Sequence, residues 1–145
     1  MQIVIDTREQ LPYDFLNIDP PPATIRKALA SGDYSIEGYE DRVAVERKSK
    51  VDAYNSFGRG RRRFERELER LSTFEFAAVV IESEWRDLIR NPPARSRLNP
   101  KTIFVSVIAW SQRFGVHFFT VPGRAFAEKL TFRLLERFYK DHAGL

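Results

Sequence analysis

The sequence predicts an α/β fold, in which a central mixed β-sheet carries helices on both faces. Short apolar runs of strand length recur along the 145 residues. They are separated by segments whose apolar residues repeat at helical spacing. No cysteine is present to support a disulfide framework or a thiolate metal site. At this length, residues 1–145 are expected to form one domain.

The predicted strands are short and mostly apolar. They are rich in valine, isoleucine and phenylalanine and are bounded by turn residues, which is typical of strands. In one of them Val43 and Val45 point to one face of the sheet, while Ala44 and Glu46 point to the other, because side chains alternate along a strand. The strands are expected at Gln2–Asp6, Tyr34–Ile36, Arg42–Arg47, Phe76–Ile81 and Val116–Val121.

The predicted helices follow apolar periodicity and capping residues. Thr24 is an N-cap for a short helix over Ile25–Ala30. Asn99 before Pro100 begins a helix that ends at Gly115. Deep burial is expected for the apolar residues of that helix, Ile103, Phe104, Val107, Ile108 and Trp110. Further helices are expected at Val51–Phe57, Arg59–Ser72, Trp85–Ile89 and Ala125–Lys140, and Leu11–Pro22 is expected to be irregular because of its prolines.

The overall charge is modestly basic. A net charge of +4 and a pI near 9.6 are compatible with nucleic-acid binding but do not establish it. No apolar run approaches the ~20 residues that a membrane helix needs, and no signal-peptide pattern opens the chain. An intracellular protein without a membrane segment is therefore expected, cytoplasmic or nucleoid-associated in a prokaryote and nuclear in a eukaryote.

Carboxylates and one lysine stand at the ends of predicted strands. Glu46 and Lys48 are two residues apart, so both project from the same face of their strand, and Arg47 points away. Asp6 and Asp33 stand at two other strand ends. Carboxylates beside an ammonium are what metal-dependent phosphodiester cleavage requires, because Mg²⁺ takes oxygen ligands and a cation can orient the attacking water. Each feature alone is commonly a solvated pair, a turn or a cap, and only their joint occurrence favours a site.

The same segments resemble a known family. Val4–Glu9, the Gly32-Asp33 pair and the run Val45–Ser49 with Asp52 closely resemble the nuclease domain of the XPF-type structure-specific endonucleases, whose signature reads G-D…E-R-K-x-x-x-D. The resemblance is detailed over about residues 3–82. It implies a restriction-endonuclease-like fold.

The resemblance also implies roles for individual residues. Asp6, Asp33 and Glu46 would hold or orient a Mg²⁺ or Mn²⁺ ion, and Lys48 would be the catalytic lysine. Glu9 would be an auxiliary acidic group near the metal. Supporting roles, in placing the phosphate or bracing the site, are implied for Arg8, Arg47 and Asp52. For Arg47, an outward-facing arginine or one paired with Asp52 is an equally open alternative.

Two surfaces indicate partners. Arg59, Arg61, Arg62 and Arg63 follow the predicted site and suit phosphate oxygens of the DNA backbone, because a guanidinium can bind them bidentately. The last helix carries more aromatic residues than one buried face usually hides, which is either a core face with a few exposed rings or a dimer surface.

These observations together predict a metal-dependent DNA endonuclease that acts at branched, flap or fork DNA in repair or recombination. The expected partners are the DNA and either a second copy of the chain, as the resemblance to a dimer-forming family suggests, or a separate targeting protein. No helix-hairpin-helix pattern follows Glu82, so the resemblance supports the chemistry more strongly than it supports branch specificity. The alternatives are a catalytically inactive DNA-binding partner subunit and a junction-resolvase or restriction-like nuclease.

Overall fold

A six-stranded mixed sheet forms the centre of the molecule. The structure is a computed structural model, and it describes residues 1–144. Its strands are β1 (Gln2–Ile5), β2 (Ala23–Arg26), β3 (Tyr34–Ile36), β4 (Val43–Lys48), β5 (Phe76–Ile81) and β6 (His117–Thr120). Its helices are α1 (Lys50–Phe57), α2 (Arg61–Leu71), α3 (Trp85–Arg90), α4 (Pro100–Phe114) and α5 (Arg124–His142).

The strands lie in the order β2-β1-β3-β4-β5-β6. β1 runs parallel to β2 and antiparallel to β3, which is antiparallel to β4. β4, β5 and β6 are parallel, with Glu46 beside Val79 and Lys48 beside Ile81. This places the carboxyl ends of β1, β4 and β5 and the start of β3 at one edge of the sheet, where polar residues can meet.

Helices cover both faces of the sheet, as the sequence predicts. Val43 and Val45 face a core that includes Phe132, Leu135 and other residues of α5. Ala44 faces a second core, built with α1, α2, α3 and α4. The predicted alternation along β4 is therefore confirmed, and it decides which face each charged residue at the end of β4 will occupy.

The prediction of a helix over Ile25–Ala30, capped by Thr24, is wrong. Residues 23–26 form β2, an exposed edge strand that pairs with β1. Pairing with β1 supplies hydrogen bonds that a helix of so few residues cannot match, since such short helices are marginal in water. The preceding Pro20-Pro21-Pro22 run delivers the chain in an extended conformation.

The burial predicted for α4 is correct for only one face of that helix. Ile103, Val107 and Trp110 are buried, whereas Phe104 and Ile108 are 47% and 46% exposed. The helix packs against α1, α2, α3 and β6, and its buried face is the one that carries Ile103, Val107 and Trp110.

The aromatic residues of α5 are mostly internal. Phe132, Leu135 and Phe138 are buried in the core, and Leu130, Leu134 and Tyr139 pack against it. Phe126 is the large exposed apolar side chain of this helix. The core alternative for the last helix therefore accounts for most of its apolar surface. Among the described residues, no helix has both the length and the apolar character to cross a bilayer.

Candidate active site

Backbone hydrogen bonds bring three predicted acidic residues to one edge of the sheet. The Asp6 N–H donates to the Asp33 carbonyl oxygen at 2.9 Å, and the Asp33 N–H donates to that of Val45, also at 2.9 Å. These bonds extend the β1–β3–β4 pairing by one residue. Asp6, Asp33, Glu46 and Lys48 consequently line one open cleft of about 470 Å³.

Gly32 allows the chain to pass close to β4 at this point. Its φ is +80°, and a Cβ placed there would lie 2.8 Å from the Ala44 Cβ. A side chain therefore fits neither the backbone conformation nor the space. The glycine of the Gly32-Asp33 pair thus sets where Asp33 enters the cleft.

Asp33 and Glu46 form a partly buried carboxyl pair. Burial, followed by the neighbouring Glu46 charge, raises the pKa of Asp33 well above its usual range. Burial likewise raises the pKa of Glu46, and the nearby Lys48 charge partly offsets that effect. The Arg47 backbone N–H donates to Asp33 Oδ2 at 2.8 Å and partly offsets the effect. Two carboxylates held this close favour either a proton or a cation between them.

Lys48 is the cation on the same face. Its Nζ lies 3.2 Å from Glu46 Oε2, and both side chains are largely shielded from solvent. The ammonium also lies 4.7 Å from the centre of the Phe64 ring, in a cation–π contact. The side-by-side arrangement of Glu46 and Lys48 predicted from strand geometry is present.

Asp6 lines the cleft, but both of its carboxylate oxygens accept hydrogen bonds from neighbouring protein groups. Its Oδ1 accepts from the Leu29 N–H and its Oδ2 from Arg8 Nε, both at 2.9 Å. Arg8 also donates to the Leu29 carbonyl oxygen. Asp6 is 3% exposed, so its carboxylate holds the loop after β2 against the end of β1. A direct metal contact by Asp6 stays a prediction.

The carboxyl pair fits a hard divalent cation. Within residues 1–144, no group of three or more His, Cys, Asp or Glu side chains is arranged to hold a metal ion. Mg²⁺ does not need such a group, because it keeps several waters and is commonly held by one or two carboxylates. Asp33 and Glu46 supply two, and their close approach would be relieved by a bound cation.

Glu9 and Arg47 lie on the opposite face of the sheet. Arg47 Nε donates to Glu82 Oε2 at 2.9 Å, and its Nη1 reaches Glu9 Oε2 at 3.3 Å. Glu9 also accepts from the Tyr34 hydroxyl at 2.8 Å. The structure therefore does not bring Glu9 to the cleft, and it pairs Arg47 with glutamates rather than with Asp52.

Asp52 caps α1. Its backbone N–H donates to Ser49 Oγ at 3.1 Å, and the Ser49 N–H lies 3.4 Å from Asp52 Oδ2, which makes a reciprocal capping box. Because Ser49 directly follows Lys48, this cap fixes the start of the helix next to the cleft. Of the roles implied for Asp52, the geometry matches bracing.

The four arginines around the start of α2 separate into two groups. Arg63 lines the cleft, and Arg59 and Arg62 are exposed nearby. Arg61 turns inward, where its guanidinium lies 4.4 Å from the Trp110 ring centre and donates to Ser106 Oγ at 2.8 Å. Arg61 thus joins α2 to α4, which leaves the other three facing solvent.

Sequence reasoning missed three residues of the site region. Glu67 lines the cleft and accepts from the Gly32 N–H at 2.8 Å, and Tyr13 and Glu82 surround Arg47. Glu67 lies three residues after Phe64 and four before Leu71, so its helical spacing already places it beside the buried stripe of α2. For Tyr13 and Glu82 no local signal exists, because their contacts join distant segments.

The fold and the family can be compared with known proteins. XPF from Aeropyrum pernix superposes with a TM-score of 0.69 at 22% identity, covering 92% of this chain and 61% of that chain. A second structure, XPF from Aeropyrum pernix in complex with DNA, gives 0.69 at 23% identity, covering 94% and 65%. This chain thus spans less than two thirds of either, and identities this low show the fold alone. A search of curated proteins gives no match.

The sequence itself is matched by a family model. The model described as the ERCC4 domain aligns with residues 5–134, which include every residue of the cleft. This match and the shared XPF fold confirm the α/β architecture and the family resemblance drawn from the Gly32–Asp52 motif. The chain belongs to the ERCC4 domain family.

Proposed function

We propose that this protein is a metal-dependent DNA endonuclease that hydrolyses phosphodiester bonds with Mg²⁺ or Mn²⁺. The observation that carries the proposal is the partly buried Asp33–Glu46 pair with Lys48 beside it, in a cleft that is open to solvent. ERCC4-domain membership and the likeness to XPF support the same class of activity.

The cleft residues divide the chemistry between them. Asp33 and Glu46 would hold the ion through carboxylate oxygens. When bound, a divalent cation supplies polarisation of the phosphate and lowers the pKa of an attacking water. Lys48, fixed between Glu46 and the Phe64 ring, would orient that water or offset charge that develops on the phosphate. Arg8 and Arg63 stand at the wall of the cleft, where they can bind the flanking phosphates.

The substrate proposed is branched DNA, meaning flaps and forks formed in repair or recombination. The support is the family resemblance, together with a similar structure described as XPF in complex with DNA. The proposed contacts in the cleft are to phosphates, and contacts to phosphates do not distinguish one base sequence from another. Selection of a branch is therefore assigned to surfaces around the cleft, to a homodimer or to a separate targeting protein.

A homodimer would use α4 more readily than α5. Phe104, Val105 and Ile108 form an exposed apolar patch on α4, and Val105 is 61% exposed. Sedimentation of the purified protein, compared with an Ile108→Ser variant, tests whether this patch holds two copies together.

One gel experiment tests the catalytic proposal. Duplex, single-stranded, flap and fork DNAs are incubated with the protein and Mg²⁺ or Mn²⁺. Asp33→Ala and Lys48→Ala should abolish cleavage while circular dichroism shows a retained fold, and Lys140→Ala on α5 should cut like the unchanged protein. If the unchanged protein cuts none of the DNAs and titration detects no Mn²⁺ binding, the enzyme proposal fails and an inactive DNA-binding subunit is favoured. Cleavage restricted to four-way junctions would favour the junction-resolvase alternative.

A further inference from the structure

A second charged network lies behind the cleft, on the α5 face of the sheet. Arg47 is at its centre, with a side chain 11% exposed. It donates to Glu82 at 2.9 and 3.3 Å and to the Leu11 carbonyl oxygen at 2.6 Å, and its guanidinium lies 4.8 Å from the Tyr13 ring centre. The Tyr13 hydroxyl in turn donates to Glu82 at 2.5 Å.

Every polar group of this network has a partner within the protein. Glu82 accepts from Arg47 and Tyr13, and Glu9 accepts from Arg47 and Tyr34. Burial alone would lower the pKa of Arg47, but the bond to Glu82 and the surrounding charges raise it. An arginine held in this way has no free donor face for a DNA phosphate.

The network joins the ends of the neighbouring strands β4 and β5. Arg47 belongs to β4, and Glu82 directly follows β5. The Glu82 N–H also donates to the Lys48 carbonyl oxygen at 2.8 Å. The backbone around Arg47 is therefore held in place both by the Arg47 side chain, through Glu82, and by the backbone hydrogen bond between Glu82 and Lys48.

We infer that Arg47 and Glu82 are positioning residues for the carboxyl pair. They act through the Arg47 backbone, whose N–H donates to Asp33 Oδ2 at 2.8 Å on the cleft side. Holding that N–H in place holds Asp33 against Glu46, and it keeps Glu46 and Lys48 directed into the cleft. Only the expected effect on metal affinity rests on the proposed function. The expected effect on the Arg47 N–H can be measured in metal-free protein.

A matched pair of double variants tests this inference. Arg47→Met with Glu82→Gln removes both charges of the ion pair together. Glu9 loses its contact with Arg47 in this variant but keeps the hydrogen bond from the Tyr34 hydroxyl. The control is Arg42→Met with Glu75→Gln, an ion pair beside the starts of the same two strands, far from the cleft. Arg47→Lys serves as a milder variant that keeps the positive charge, in case the double variant folds poorly.

The first measurement is hydrogen exchange of the Arg47 backbone N–H in metal-free protein, resolved by NMR. We expect exchange about tenfold faster in the Arg47–Glu82 variant and unchanged in the control, with Arg47→Lys between them. Unchanged exchange in the Arg47–Glu82 variant overturns the inference, whatever the protein does with metal or DNA.

The second measurement is calorimetric Mn²⁺ binding beside binding of fork DNA in EDTA. Loss of residues that orient a metal ligand commonly weakens metal binding ~10–100-fold. We expect a weakening in this range for the Arg47–Glu82 variant, with DNA affinity within twofold of the unchanged protein. Weaker DNA binding with intact Mn²⁺ affinity would instead make Arg47 a phosphate contact and overturn the inference. Absence of Mn²⁺ binding in the unchanged protein would contradict the proposed function, and the exchange measurement would still decide the inference.

Discussion

Single residues determine the shape of the cleft, and the Asp33–Glu46 pair determines its electrostatics. The two carboxyl groups lie side by side in the cleft, and burial raises the pKa of both. Lys48 offsets part of this effect at Glu46 but does not cancel it. An arrangement that disfavours both carboxylates is typical of a site built for a ligand rather than for stability.

Asp33→Asn should therefore separate stability from function. The amide keeps the volume of the side chain and can still accept from the Arg47 N–H, but it no longer opposes the Glu46 charge. We expect the free energy of unfolding in metal-free buffer to rise by about 1 kcal/mol, while Mn²⁺ affinity and cleavage are lost. Urea denaturation with and without Mn²⁺ measures both effects. A variant less stable than the unchanged protein without metal would contradict this account.

Gly32 makes a second prediction at the residue scale. Gly32→Ala combines a positive φ with a 2.8 Å approach to Ala44, so it should lower the free energy of unfolding by at least about 2 kcal/mol. Gly38 has a φ of +91° but nothing within 4 Å of an added Cβ. Gly38→Ala should lower the free energy of unfolding by about 1 kcal/mol, through the strained backbone conformation alone. Equal losses in the two variants would show that the close approach to Ala44 is unimportant.

At the scale of elements, α1 shows how a helix start supports the cleft. Ser49→Ala and Asp52→Ala each remove part of the capping box and should lower the free energy of unfolding by about 1 kcal/mol. Because both residues serve one box, the double variant should lose less than the sum. Mn²⁺ affinity should change little, since the Asp52 carboxylate accepts from the Ser49 N–H and does not line the cleft. If Asp52→Ala lost Mn²⁺ affinity and Ser49→Ala did not, Asp52 would instead act at the metal site.

The elements also show what the sequence could predict. Period-two alternation correctly separated the Glu46–Lys48 face from the Arg47 face, because alternation is a local property of a strand. The helix predicted over Ile25–Ala30 is wrong because the strand character of β2 comes from pairing with β1, in which Ala23 lies beside Gln2, 21 residues earlier in the chain. The pairing of Arg47 with Glu82 could not be read either, since register between β4 and β5 is a tertiary property.

The whole molecule has two contrasting basic surfaces. On one side, the exposed Arg59 and Arg62 lie near the cleft-lining Arg63. On the other side of the sheet, three basic residues of α5 pair with acidic residues of the same helix: Arg133 and Lys140 with Glu136, and Arg137 with Asp141. Basic residues without a nearby acidic partner are the ones expected to release counterions from DNA.

This contrast predicts a different salt dependence for two variants of equal charge. Replacing Arg59, Arg62 and Arg63 by glutamine, or Arg133, Arg137 and Lys140 by glutamine, lowers the net charge from +4 to +1 in either case, since each removes three positive charges. Each phosphate contact contributes about 0.9 to the slope of log affinity against log salt concentration for duplex DNA. The first variant should thus bind fork DNA with a slope reduced by about 2 to 3, and the second should retain the original slope. Fluorescence anisotropy in EDTA over a range of NaCl concentrations measures both. Equal changes in the two variants would mean that net charge, and not the surface beside the cleft, draws DNA to the protein.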